Sequence, residues 1–362
     1  MGIIEDRRAL HRIPELDVRL QETLIYVKDA LAGMKCRTFA PIESSLCAFF
    51  DFGAEKTLAF RADMDALPIQ EVSDAEYVSR HPGRMHACGH DGHMAMLLEL
   101  ARRMDRKETN PWNVLLVFQP AEETIGGAKF ICQTGIFEEY RVEAIFGLHL
   151  WPGLETGVIY SRQKELMARC CEVNIDVYGK SAHIGRSWEG IDALAIGTEY
   201  YRRAVAMEQS MPEHIFRLLK FGKFESGTIR NALSAHTRIE GSLRAFQDDI
   251  FEAMQESLRE IGRALEQETG CTISVTMSQG YPSVLNPTDL CRRVKAIVDY
   301  RELENPAMTS EDFSFYQRRI PGMFLFLGTG DSPALHTSNF DFDERVLEKG
   351  ADFFETLAVS FR

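Results

Sequence analysis

Between residues 46 and 150, short apolar runs alternate with segments of helical spacing. Residues 46–52, 56–61, 114–118 and 144–150 have the composition of strands, and 114–118 and 144–150 are apolar enough to be buried on both faces. Residues 94–104 place Met, Leu and Ala three and four apart, and a second helix begins at 129–134 behind Gly126 and Gly127. At the start of the chain, Leu20, Leu24, Val27 and Leu31 keep helical spacing and predict one helix over 3–32. Short strands separated by helices imply an α/β unit around a largely parallel sheet.

Near Cys170 the pattern changes. Residues 171–178 alternate like a half-buried strand, 190–207 are helical, 215–224 and 237–245 are strands, 249–269 are helical and 272–277 form a last strand. The order β-α-β-β-α-β is ferredoxin-like. After Gly280 the α/β character returns, with a buried strand at 322–327 and a final helix from Asp343. The expected organisation is an α/β domain of residues 1–169 and 280–362, with an α+β domain of 170–279 inserted in it.

The net charge of −13 and the lack of any Lys/Arg cluster argue against nucleic acid and anionic membrane surfaces as partners. There is no apolar run of about 18 residues, and the charged start MGIIEDRR has no signal-peptide core, so a cytoplasmic protein is expected. Its eight cysteines are irregularly spaced with no CxxC pair, which predicts reduced thiols.

In an open parallel sheet, ligands bind beyond the carboxyl ends of the strands. Polar residues gather at four such ends: Asp63 and Asp65 after 58–61, Glu122 and Glu123 after 114–118, His149 within 144–150, and His336 after 323–327. A fifth segment, RMHACGHDGHM, sets His86, Cys88, His90, Asp91 and His93 just ahead of the helix expected at 94–104. A lone histidine on an apolar strand is usually a hydrogen-bonded core residue, and paired glutamates usually open a solvated helix. Their conjunction at the ends of one sheet points instead to metal binding. Thiolate, imidazole and carboxylate together suit zinc, manganese, cobalt or nickel better than magnesium. There are more donors than one tetrahedral ion needs, so two ions sharing a ligand are expected, with one carboxylate left over as a general base.

These residues resemble a known family. RADMDALP, MHACGHDGH, FQPAEE, GLHL, GKSAH, SEDF and LHTSNFDFDE occur in the order and spacing of the dinuclear metal amidohydrolases, which include aminoacylases, hippurate hydrolases, N-acetyldiaminopimelate deacetylases and auxin-conjugate hydrolases. The resemblance implies that Cys88 bridges two divalent metal ions, that His90, His149, Glu123 and His336 complete the ligand set, and that Glu122 is the general base. Asp65 orients a metal ligand, and Asp63 is a supporting residue. His86, Asp91 and His93 fall outside that set, and His93 is balanced between the site and a helix surface. The inserted domain resembles a lid and dimerisation domain. By the same resemblance, His183 stabilises the oxyanion across a homodimer, and Asn231 and Arg244 bind substrate, Arg244 through the substrate carboxylate. Residues 184–188, with Arg186 and Trp188, and the Ala-Leu-Ser after Asn231 depart from the family pattern where substrate preference is expected to be set. The activity implied is hydrolysis of N-acyl amino acids. A metallo-dipeptidase or carboxypeptidase, or a non-catalytic metal-stabilised binding protein, are the alternatives.

Overall fold

The structure is a computed structural model and describes residues 2–362. The chain divides into two compact units, one of Met1–Leu166, Val284–Pro306 and Asp312–Arg362, the other of Met167–Ser283 and Ala307–Glu311.

The larger unit is built on an eight-stranded sheet, in the order Arg37–Phe39, Leu46–Phe50, Asn113–Gln119, Thr57–Asp63, Val142–Trp151, Gly322–Gly328, Ile159–Ser161, Arg301–Glu302. The central four strands are mutually parallel. Leu46–Phe50 and Ile159–Ser161 flank them antiparallel. Every residue of Thr57–Asp63, Asn113–Gln119 and Gly322–Gly328 is buried, which is why they are apolar apart from Thr57, Arg61 and Asp63 in the first and Asn113 and Gln119 in the second. Phe60, Phe118, Phe146 and Phe324 are fully enclosed, each contributing about 1.5–3 kcal/mol of burial. Because the four central strands run the same way, the segments after Asp63, Gln119 and Gly328, and the end of Val142–Trp151, emerge along one edge. Helix His90–Asp105 packs between Ile3–His11 and Val346–Ser360.

Two local readings are corrected. The helix expected over 3–32 is two helices, Ile3–His11 and Gln21–Leu31. Pro14 has no N–H to donate and disfavours the helical conformation at Ile13, and Asp17 then turns the chain at φ 58°. The helix expected at 94–104 begins at His90, so His90, Asp91 and His93 lie in its first turn rather than ahead of it. Gly89, at φ 83°, takes the position before that turn, where a side chain would be strained.

The smaller unit is a four-stranded antiparallel sheet ordered Thr272–Met277, Arg169–Tyr178, His236–Ala245, Arg217–Ser226, with helices Ala193–Ser210 and Asp248–Thr269. This is the ferredoxin-like arrangement. Val173, Ile175 and Val177 alternate along one strand, Ile239 and Leu243 along its neighbour, and they share a core with Tyr200, Phe251, Met254 and Leu258. Asp192 caps the first helix by accepting N–H bonds from Leu194 and Ala195. Gly270, at φ 72°, closes the second. Among the described residues no helix is long and apolar enough to cross a membrane.

Candidate metal centre

Backbone devices place the polar side chains at the sheet edge. The turn after Asn113–Gln119 holds Ala121 at φ 56°, and its carbonyl accepts the N–H groups of Gly126 and Gly127. A Cβ on Gly127 would lie 1.9 Å from the Pro120 oxygen, so only glycine lets the chain fold back there. His336 stands at φ 62°, with its N–H bonded to the Ala87 carbonyl beside Cys88. A non-glycine residue in that conformation is uncommon and concentrates at functional sites.

The donors converge on one thiol. Cys88 Sγ is 3.4 Å from His149 Nε2 and 3.3 Å from His336 Nε2. His336 Nε2 is also 3.2 Å from Glu123 Oε1. Cys88 belongs to two groups of donor atoms lying within 4.8 Å of one another, Cys88–His90–His149 and Cys88–Glu123–His336, and a third joins His90 to Glu122 and Glu123. The five expected ligands, Cys88, His90, Glu123, His149 and His336, are thus brought together, with Glu122 beside them.

The tautomers follow from the partners. His90 Nδ1 is 2.7 Å from the Asp65 carbonyl, and His149 Nδ1 is 2.7 Å from the Leu150 carbonyl. A carbonyl only accepts, so each Nδ1 carries the proton and each Nε2 turns a lone pair toward the cluster. His90 Nε2 is buried with no hydrogen-bond partner. Burial pushes His90 below its ordinary range and His149 well below it, keeping both neutral as ligands require. Burial, with the charges of Glu123 and Glu122, pushes the Cys88 thiol well up. A divalent cation on these atoms inverts that balance and favours thiolate. A buried thiol, an orphaned imidazole nitrogen and carboxylates in one cluster fit such a cation better than they fit an apolar interior.

Asp65 braces the turn. Its Oδ1 accepts the Glu122 N–H at 2.9 Å and its Oδ2 the Glu123 N–H at 3.1 Å. Burial raises its pKa well above the ordinary range although those N–H bonds work against it.

A buried polar network not readable from the sequence lies behind the cluster. Arg61 Nη1 donates to Asp63 Oδ2 at 2.7 Å, Nη2 to Asp312 Oδ1 at 2.8 Å and Nε to Gln119 Oε1 at 2.8 Å. Gln119 Nε2 donates to Asp312, and the Tyr316 hydroxyl donates to Gln119. His93, balanced at the level of sequence between site and surface, is 2% exposed and bonded to Asp63. Arg61 and Asp312 occur within the motif words RADMDALP and SEDF, a signal of place without a role.

Residues 59–360 match the Peptidase family M20/M25/M40. The chain belongs to this family. An uncharacterized hydrolase of Staphylococcus haemolyticus (strain JCSC1435) is 32% identical over 374 residues, covering 99% of this chain and 98% of that one. A solved structure from methicillin-resistant Staphylococcus aureus aligns at TM-score 0.90 and 27% identity, over 98% of this chain and 95% of that one. A Bacillus subtilis protein described as a dinuclear metal binding peptidase from the M20 family aligns at TM-score 0.83 and 28% identity, over 98% of this chain and 96% of that one. This M20/M25/M40 chain is therefore a hydrolase with a metal-binding type of site.

The remaining expected residues of this M20/M25/M40 chain are in the smaller unit. His183 is exposed and accepts the Gly185 N–H at 3.1 Å, at the head of the short helix Ile184–Glu189. Asn231 is exposed, and its carbonyl accepts the Ile184 N–H, so these two are neighbours. Arg244, half-buried on strand His236–Ala245, donates to the Met308 carbonyl and the Ser242 hydroxyl.

Proposed function

We propose that the protein hydrolyses the amide bond of N-acyl-L-amino acids with two divalent metal ions, zinc, manganese, cobalt or nickel, held by Cys88, His90, Glu123, His149 and His336. The observation that carries this reading is the sharing of one thiol, Cys88, by two separate donor groups. Bound divalent ions polarise an amide carbonyl and make water more acidic. Glu122, between the Asp65-braced turn and His90, then acts as general base. It takes a proton from the attacking water, whose oxygen joins the acyl carbon, and delivers that proton to the nitrogen as the C–N bond breaks. A free amino acid and a carboxylic acid leave.

In the same reading the chain is a homodimer acting on a small molecule in the cytoplasm, with His183 stabilising the oxyanion of the partner's site. Asn231 binds substrate polar groups and Arg244 the substrate carboxylate. The support for Arg244 is that, among the described residues, its guanidinium meets a carbonyl and a hydroxyl but no carboxylate. A guanidinium can bind a carboxylate through two parallel hydrogen bonds.

A second reading, a metallo-dipeptidase, is favoured by the Bacillus subtilis relative described as a peptidase. The test is release of amine from a panel of N-acyl amino acids and dipeptides by protein stripped and reloaded with each metal. Turnover confined to acyl amino acids supports the first reading, and a need for a free amino terminus supports the second. Metal bound without turnover of anything leaves a metal-stabilised binding protein.

A further inference from the structure

His93 lies three residues beyond His90 on one face of the same helix. Its Nε2 is 3.0 Å from the Leu150 backbone nitrogen. A main-chain N–H only donates, so Nε2 is the acceptor and the proton of the neutral ring is on Nδ1. That N–H is donated to Asp63 Oδ1 at 2.6 Å. The other Asp63 oxygen takes Arg61 Nη1, and Arg61 is fixed in turn by Gln119 and Asp312. Arg61, Asp63, His93, Gln119 and Asp312 are each at most 3% exposed. With both ring nitrogens engaged, His93 has no lone pair left for a metal, although Asp63, His90 and His93 stand within 4.8 Å of one another.

Leu150 connects this chain of bonds to the site. Its N–H goes to His93, and its carbonyl accepts from His149 Nδ1. The His93 and His149 rings lie 4.5 Å apart at 61°. Two glycines hold the helix against this residue. A Cβ on Gly92 would stand 2.7 Å from Leu150 Cδ1, 3.0 Å from Phe342 Cζ and 3.1 Å from Leu347 Cδ2, and one on Gly89 would stand 3.0 Å from Leu150 Cδ1. The helix that bears His90 and the strand that bears His149 therefore meet without a spacer side chain.

We infer that His93 is a positioning residue for the metal centre, which by accepting the Leu150 N–H holds the strand end so that His149 Nε2 faces Cys88. The inference rests on the metal-dependent reading above. An apolar side chain would fill this volume without the cost of a buried imidazole. What the imidazole adds is a rigid acceptor, aimed at one main-chain N–H and locked by Asp63 and Arg61 behind it.

Two substitutions separate its nitrogens. The amide oxygen of His93→Gln reaches the Nε2 position and still accepts from Leu150. The amide of His93→Asn reaches only the Nδ1 position and leaves Leu150 unmet. Zn²⁺ titration of stripped protein, with thermal unfolding as the folding check, is expected to weaken about 10–100-fold in His93→Asn and to stay near wild type in His93→Gln. Equal affinity in all three, or loss in His93→Gln as large as in His93→Asn, overturns the positioning role. A wild type that binds no Zn²⁺ instead overturns the metal-dependent reading itself. Nitrogen-15 NMR of wild type labelled at histidine tests the same point without a variant. Nδ1–H with a bare Nε2 on His93 supports the inference, and an Nε2–H tautomer overturns it.

Discussion

Arg7 Nε stands 2.9 Å from Asp91 Oδ2, and neither side chain is exposed. Arg7 also reaches Asp341 at 2.8 Å and Glu344 at 3.2 Å, and its guanidinium lies 4.7 Å from the ring centres of Tyr77 and Phe342. The first helix is thereby joined to the residue after His90 and to the segment that follows His336. Arg7→Met leaves Asp91 charged and buried with one partner fewer, and is expected to cost about 3–5 kcal/mol in urea unfolding. A cost below about 1 kcal/mol, the range of exposed pairs, contradicts this account.

His11 faces carboxylates on both sides, Asp91 from Nδ1 at 2.7 Å and Glu71 from Nε2 at 3.1 Å. Both nitrogens then donate, which requires the charged ring. Burial opposes that charge, but Asp91 and Glu71 outweigh it and raise the pKa to about 9. The folded value lies above the unfolded value of about 6.5, so the stabilisation is complete below pH ~6.5 and is lost as the pH rises through about 9. It amounts to about 3 kcal/mol. Urea midpoints are expected to fall across that window in the wild type, and His11→Gln to show a flatter profile.

Glu122→Ala is expected to slow amide hydrolysis by about 10²–10⁴-fold while leaving metal content unchanged. Metal analysis of the same sample that is assayed separates loss of the base from loss of the ions. A variant that loses metal in proportion to activity would assign Glu122 to the ligand set instead.

Stripping the protein of metal is expected to abolish hydrolysis, and reloading to restore it. Metal affinity should fall as the pH drops below neutrality, because protons compete for the Cys88 and histidine donors. Full turnover by protein verified to be metal-free excludes the proposed chemistry.

Trp188 is 77% exposed and Ile184 52% exposed, on a segment that departs from the family pattern. Arg186→Ala and Trp188→Ala are expected to reorder preference among acyl amino acids without altering metal binding. An unchanged ranking across the substrate panel removes this segment from selectivity.

Much of the fold was legible because its signals are local. Buried strand segments such as 114–118 and 322–327 show as unbroken apolar runs, and alternation along Val173, Ile175 and Val177 marks the sheet of the smaller unit. Strand-end donors were legible because polar residues are conspicuous in such surroundings. Pro14 was also a local signal, but the apolar spacing that runs up to Leu31 masked it. What periodicity does not carry is pairing at a distance. Arg7 meets residues 84 and 334 positions away, and Arg61 meets Asp312 251 positions away. In the sequence His93 is balanced between the site and a helix surface, and only the arrival of Leu150 and Asp63, distant in the chain, decides its place.

The clamp at Arg7 also sets an order of events during synthesis. Its partners Glu344 and Asp341 are made 337 and 334 residues after it, whereas Met167–Ser283, nearly all of the smaller unit, is continuous in the chain. At ribosomal rates of about 5–20 residues per second, on the order of 10 s separates completion of that stretch from arrival of the clamp's acidic partners. Met167–Ser283 is therefore free to begin folding while Arg7 still lacks Asp341 and Glu344, and the clamp can form only once both sides of that stretch have been made.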